Sequence, residues 1–198
     1  MAAIGQRMKL FLACAAALLT FGCGNYGSVD QGRVIAFDKQ KGEITIIRDS
    51  AAKSSKPRYD VVPPVSVKIP ADPHEMGTPP MAGKRLGFDT AKNTVIFFDA
   101  NSKTIKTITY TVVTEFSNVG SDDPRVKGVQ FPVVDRQNKV ITLYSAGDKK
   151  LVKFTVADEY FSLPDDTWKS GDEIRYYYKQ PGQALRLMNV TTTNVMKG

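Results

Sequence analysis

The side chains with most chemistry to offer are crowded into 70-PADPHEMGTPPM-81. His74 is the chain's only histidine, and Asp72, Glu75, Met76 and Met81 stand around it. An imidazole and two carboxylates suit borderline divalent metals, and two thioethers suit soft ones. The spacing does not demand a metal, because prolines separate several of the donors and no second histidine exists. The same residues also have a purely structural reading. Asp72-Pro73 opens a turn, Glu75 caps a short helical turn and the methionines fill an apolar gap. The wider segment 57–81 carries seven of the chain's eleven prolines. Proline fixes φ and removes a donor, so this stretch cannot run throughout as a central strand. An ordered excursion is expected, with Asp72, His74, Glu75, Met76 and Met81 as a candidate binding loop. No metal site and no cofactor are assigned.

Other candidates are weaker. Asp122-Asp123 and Asp165-Asp166 lie in "GSDDPR" and "LPDDTW", where turn formation and capping account for them. In 173-EIRYYYK-179 a strand would put Ile174, Tyr176 and Tyr178 on one face, as core with hydroxyls at the rim. Arg175, Tyr177 and Lys179 would point the other way. An aromatic between two cations is the chemistry of an anion- or sugar-binding surface, and equally of a solvated sheet face. The chain has no phosphate loop, nucleophile elbow or nucleotide fingerprint, and no enzymatic activity is expected.

The N-terminus speaks to location. Arg7 and Lys9 precede an uncharged apolar run from Leu10 to Phe21. As a helix that run reaches about 18 Å, short of a bilayer core of about 30 Å. A basic start, a short apolar stretch and then small residues describe a secretory signal peptide over 1–22. Thr20-Phe21-Gly22-Cys23 resembles a bacterial lipobox, with Gly22 and Cys23 matching and Thr20 and Phe21 departing from the usual leucine and small residue. The resemblance implies that Cys23 is the lipid-modified first residue of the mature chain, anchored to a membrane through several acyl chains. Ordinary cleavage after Gly24 is the alternative and would leave a periplasmic or secreted protein. Cys14 lies within the signal, so an acylated Cys23 leaves no thiol, no disulfide and no cysteine metal site. Gly24 is not the aspartate that retains some lipoproteins in the inner membrane. By resemblance, the expected site is the outer membrane facing the periplasm.

Loss of residues 1–22 removes Arg7 and Lys9 and no acid, so the formal charge falls from +7 to +5. A modest basic excess suits a solvated surface or anionic envelope components. For an exported chain, nucleic acid is not an expected partner.

The remaining chain alternates with period 2 rather than 3.6. In 32-GRVIAFDKQKGEITIIRD-49 two apolar stretches flank Lys39-Gln40-Lys41-Gly42, which reads as a hairpin with Gly42 at positive φ. The phrase returns at 128-GVQFPVVDRQNKVITLYS-145, where Asp135 and Ile141-Thr142-Leu143 match Asp38 and Ile44-Thr45-Ile46 at an offset of 97. Glycine-led strands follow in both halves, at 83-GKRLGFD-89 and 171-GDEIRYYY-178. Five short strands per unit suit a small closed barrel. An all-β fold of two tandem OB-like barrels is therefore expected, with a tether at 23–30, barrels at 31–116 and 128–198, and a linker at 117–127. The phrases at 88–108 and 134–154 also resemble one another, as if successive hairpins were equivalent, which supports a single larger meander or sandwich instead.

The second unit, with "VVDRQNKVITLYS", "FTVAD" and "WKSGDEIRYYYKQPGQALRLMNV", resembles the periplasmic copper/silver-binding chaperones, which are OB-fold barrels. That family's metal site uses a histidine, a tryptophan and paired methionines on one barrel face. Here 151-LVKFTV-156 carries neither Met nor His, and Trp168 sits in the turn before Gly171. The resemblance implies the fold without the copper site. As a whole the chain is similar to small families of bacterial lipoproteins. The expected function is a lipid-anchored, non-enzymatic binding or scaffold module of the cell envelope, its partner an envelope protein or polymer. The alternative is a periplasmic metal-binding accessory protein using His74 and the neighbouring methionines.

Overall fold

The computed structural model describes residues 26–52 and 56–193, so Cys23 and the signal-like segment lie outside the described residues. The fold is all-β, with twelve strands and three short 3₁₀ turns among the described residues. The strands are β1 (Ser28–Asp38), β2 (Glu43–Asp49), β3 (Tyr59–Lys68), β4 (Arg85–Asp89), β5 (Thr94–Asp99) and β6 (Thr104–Thr109), then β7 (Thr111–Phe116), β8 (Val133–Asp135), β9 (Val140–Ser145), β10 (Lys150–Thr155), β11 (Glu173–Tyr178) and β12 (Arg186–Asn189). Among the described residues no helix is long and apolar enough to cross a membrane.

Adjacent apolar pairs explain how the sheets stack, because neighbours on a strand point to opposite faces. Val34, Ile46 and Val67 face the inside of a five-stranded antiparallel sheet ordered β12-β11-β1-β2-β3, together with Ile174, Tyr176 and Leu187. Ile35 and Ile47, their immediate neighbours, pack with Tyr59 on Leu86 and Phe98 of a three-stranded sheet, β4-β5-β6. Phe97, beside Phe98, turns the other way and meets Ile141, Leu143, Val152 and Phe154 of a four-stranded sheet, β7-β10-β9-β8, with Trp168 fully buried among them. The central strands are thus apolar on both faces and read as continuous runs.

None of the sheets closes into a barrel among the described residues. The five-stranded sheet curls until the end of β3 meets the turn that precedes β12, where Lys68 donates its N–H to the Gly182 carbonyl and accepts from the Ala184 N–H, both at 2.9 Å. The pairing also crosses the linker expected at 117–127. β11 pairs with β1 from Ser28↔Tyr178 to Arg33↔Glu173, and β7, from the first half, pairs with β10. The expected linker itself folds back, burying Val119 and Val126 against Leu151. The two tandem barrels therefore give way to stacked meanders, the arrangement that the likeness between 88–108 and 134–154 favours. The physical reason lies in β1, which needs a neighbour on each side and takes one of them from the far end of the chain.

The repeat that suggested two barrels belongs to the hairpin. Asp38↔Glu43, Asp89↔Thr94, Asp99↔Thr104, Asp135↔Val140 and Ser145↔Lys150 each enclose a four-residue turn. The last turn residue is left-handed every time, namely Gly42, Asn93, Lys103, Lys139 and Lys149. In Asp38 and Asp89 one carboxylate oxygen accepts both the i+2 and the i+3 backbone N–H, at 2.9 to 3.0 Å. This is the self-bonding that suits aspartate to turns.

Candidate functional site

β1 is longer than its neighbour. It pairs with β11 back to Ser28, whereas its pairing with β2 begins only at Gly32↔Arg48. Over Ser28–Gln31 one edge of β1 therefore has no strand beside it among the described residues. β2 ends at Asp49, and register shifts in the β2–β3 ladder fall on both sides of Arg48. The result is a notch in the sheet, a cleft of about 510 Å³ lined by Val29, Asp30, Gln31, Arg48, Asp49, Ala52, Val61 and Arg175. That volume falls in the range of small-ligand sites.

Side chains from both faces reach this notch because no strand closes it. Asp30, on the inner face, accepts from the Tyr178 hydroxyl at 3.1 Å and the Tyr176 hydroxyl at 3.4 Å. The expected tyrosine rim is thus present, and Asp30 is what it serves. Burial is the main cause that pushes both phenols above their ordinary range, with the Asp30 carboxylate adding to it, so both remain hydrogen-bond donors. Arg48 Nη1 stands 3.7 Å from Asp30, a loose ion pair, and its Nε is buried without a partner among the described residues. Asp49 is 9% exposed. Its Oδ1 accepts from the Ala51 N–H at 2.8 Å and the Arg58 N–H at 2.7 Å, while its Oδ2 is buried with no partner among the described residues.

On the outer face Arg175 donates Nε and one terminal N–H to the Gln31 amide oxygen, at 2.9 and 2.7 Å. Gln31 in turn donates to Glu173. Among the described residues the Arg175 guanidinium forms no ion pair. Deeper along the same face, Arg33 donates to Ser170 and to the Tyr59 hydroxyl, with its guanidinium 4.4 Å over the Tyr59 ring. Burial pushes the Tyr59 phenol up to about 12 against the opposing pull of Arg33. Arg85, half-buried and facing Arg33, is lowered to about 10 chiefly by desolvation of its guanidinium and donates Nε to the Trp168 carbonyl at 2.9 Å. Arg33 and Arg85 are framework, while Arg48 and Arg175 border the open space.

The Pro-rich segment is laid across β12 as a strap. Asp72 caps the 3₁₀ turn Pro73–Glu75, its Oδ1 accepting from the His74 N–H at 2.9 Å. Glu75 is held by Arg186 at 2.5 and 3.2 Å, which lowers its carboxyl from the usual value. Met76 packs on the core of the five-stranded sheet. Met81, 53% exposed, donates its N–H to the Asp172 carboxylate and accepts from the Asp172 N–H, both at 2.9 Å, and lines a different cleft beside Phe131 and Lys169. His74 is exposed. Among the described residues no group of three or more His, Cys, Asp or Glu is placed to hold a metal ion. Asp72 opens the turn as expected but also supplies the cap expected of Glu75, whose carboxylate turns to Arg186 instead. Met76 fills an apolar gap, while the exposed Met81 does not.

Of the notch residues, only Arg175 was visible in sequence, as a cation flanking an aromatic on a strand. Asp30, Arg48 and Asp49 carry no motif. Their one signal is charge at a strand end, Asp30 before the apolar residues of β1 and Arg48-Asp49 after those of β2, which is common in any β protein.

Fold and cleft together define an all-β protein of stacked antiparallel sheets with an arginine- and aspartate-lined notch beside its first strand. The chain belongs to the family described as domain of unknown function (DUF4881), whose model matches residues 25–198. No curated protein matches the chain, and no solved structure does.

Proposed function

We infer that this protein is a lipid-anchored, non-enzymatic binding module of the bacterial cell envelope, held by acyl chains on Cys23 and facing the periplasm from the outer membrane. The observation that carries the reading is the short distance from Cys23 to the notch. β1 starts at Ser28, five residues beyond Cys23, and a chain of that length spans at most about 18 Å. An anchor there holds the notch at the membrane surface. The family match beginning at residue 25 supports treating the preceding residues as a separate address and tether. Binding rather than turnover is supported by the way the charged groups are fixed. Asp30 is held by two tyrosines and Arg48, Asp49 by two backbone amides and Arg175 by Gln31. Such preset groups hold a ligand without rearranging.

The test is the intact mass of the protein extracted from its own membranes in detergent. The expected chain begins at Cys23 and carries added acyl mass, and Cys23→Ala moves the protein into the soluble envelope fraction. An unmodified chain, or a Cys23→Ala variant that stays with the membrane, overturns the anchor.

A further inference from the structure

We propose that the notch binds a phosphoethanolamine-type zwitterion, its phosphate between Arg48 and Arg175 and its ammonium on the Asp49 side. The assignment rests on the proposed anchorage for its source and on the cleft alone for its chemistry. Two guanidiniums and two carboxylates line the space, a balance that suits a ligand carrying one charge of each sign rather than a simple anion or cation. Guanidinium groups match phosphate oxygens bidentately. Arg175 is the one without an ion pair among the described residues, and Arg48 has only the loose contact to Asp30 at 3.7 Å and an Nε with no partner.

The cation half rests on an independent observation. Asp49 is nine-tenths buried, lines the cleft and keeps Oδ2 without a partner among the described residues. A buried carboxylate oxygen left unsatisfied is costly, and an ammonium N–H donor is the group that relieves it. Val29, Ala52 and Val61 supply the apolar part of the wall, against which the two-carbon link of ethanolamine can lie. A phosphate–ammonium pair of this kind is the headgroup of an aminophospholipid. It also occurs free of lipid, and the notch chemistry is common to both.

The full mature protein, in a detergent without phosphate, is titrated calorimetrically with glycerophosphoethanolamine, with glycerophosphate and with ethanolamine. The zwitterion is expected to bind one to one and at least about tenfold more tightly than either half. Arg175→Gln weakens both phosphate-bearing probes about tenfold or more. Asp49→Asn weakens glycerophosphoethanolamine about tenfold and leaves glycerophosphate unchanged. Equal affinity for glycerophosphate and the zwitterion, zwitterion binding untouched by both substitutions, or no binding by any probe overturns the assignment. If the protein nonetheless carries its acyl mass, the proposed anchorage stands and only the ligand is lost. Vesicles of phosphatidylethanolamine and of phosphatidylcholine, whose quaternary ammonium has no N–H, then compete with the bound probe. Displacement by the first and not the second identifies the lipid headgroup as the source. With probe binding intact, displacement by neither identifies a soluble one.

Discussion

Asp99 shows how a single turn residue stores pH-dependent stability. Lys106 Nζ lies 2.5 Å from its carboxylate, and Ser102 and the Asn101 amide donate to the same group, so its carboxyl is held well below the usual range. Asp123 is lowered to about 2 by the Arg125 side chain and backbone. A carboxyl depressed in the fold contributes stability that is complete above its unfolded value, about 3.9 for aspartate. That stability is lost as pH falls toward the folded value. The midpoint of urea unfolding should therefore drop as pH is lowered from 4.5 to 2.5. In Asp99→Asn the drop is smaller, and stability at neutral pH is reduced by about 1 kcal/mol, the scale of a partly solvated hydrogen bond to a charged group. A variant with an unchanged acid limb would show that Asp99 does not contribute. In the sequence Asp99 is one aspartate among many. Its environment depends on Lys106 arriving from the next strand, and that requires the register Asp99↔Thr104 to be known.

The hairpin is the element that the sequence spells most clearly. The matched phrases at Asp38 and Asp135, and at 88–108 and 134–154, correspond to turns of one geometry. Aspartate at the start and a left-handed residue at the end are local requirements, so they survive in the sequence whatever the hairpin packs against. How the hairpins combine is not local, and two similar hairpins do not make two barrels, because β1 and β10 each take a neighbour from the other half of the chain. Lys103, Lys139 and Lys149 sit at φ of 54, 54 and 51°. There a side chain costs about 1 kcal/mol, which glycine removes while making the unfolded chain freer. Lys139→Gly is therefore expected to raise stability by about 0.5 kcal/mol, read as a small rise in thermal midpoint. Gly42→Val, at φ 59° with Ile69 already 3.4 Å from the added Cβ, is expected to cost about 1–2 kcal/mol. Equal midpoints for the three proteins would remove the strain argument.

At the scale of the whole molecule, the two glycine-led strands have a different meaning from the one their recurrence suggested. Gly83 and Gly171 do not mark equivalent places in two units, because they meet one another. A Cβ on Gly171 would lie 1.8 Å from the Val34 carbonyl oxygen and 2.9 Å from the Gly83 nitrogen. The Gly83 N–H donates to Val34 at 3.1 Å, and the Val34 N–H donates to Asp172 at 2.9 Å. Three backbone segments cross here with no room for a side chain. Gly171→Ala is expected to cost more than about 3 kcal/mol, visible as loss of cooperative unfolding or of soluble protein. A well-folded variant would mean that the crossing can open. The notch was hidden in the sequence for a related reason, since it exists only because β11 reaches further along β1 than β2 does. That pairing joins residues more than a hundred positions apart, and it sets a timetable. A chain that emerges with its N-terminus first can zip β1 to β2 from Gly32 onward at once, yet Ser28–Gln31 wait for a partner that arrives almost last. Ser28–Gln31 are thus made early and paired late, held on one side only, and only once β11 has followed.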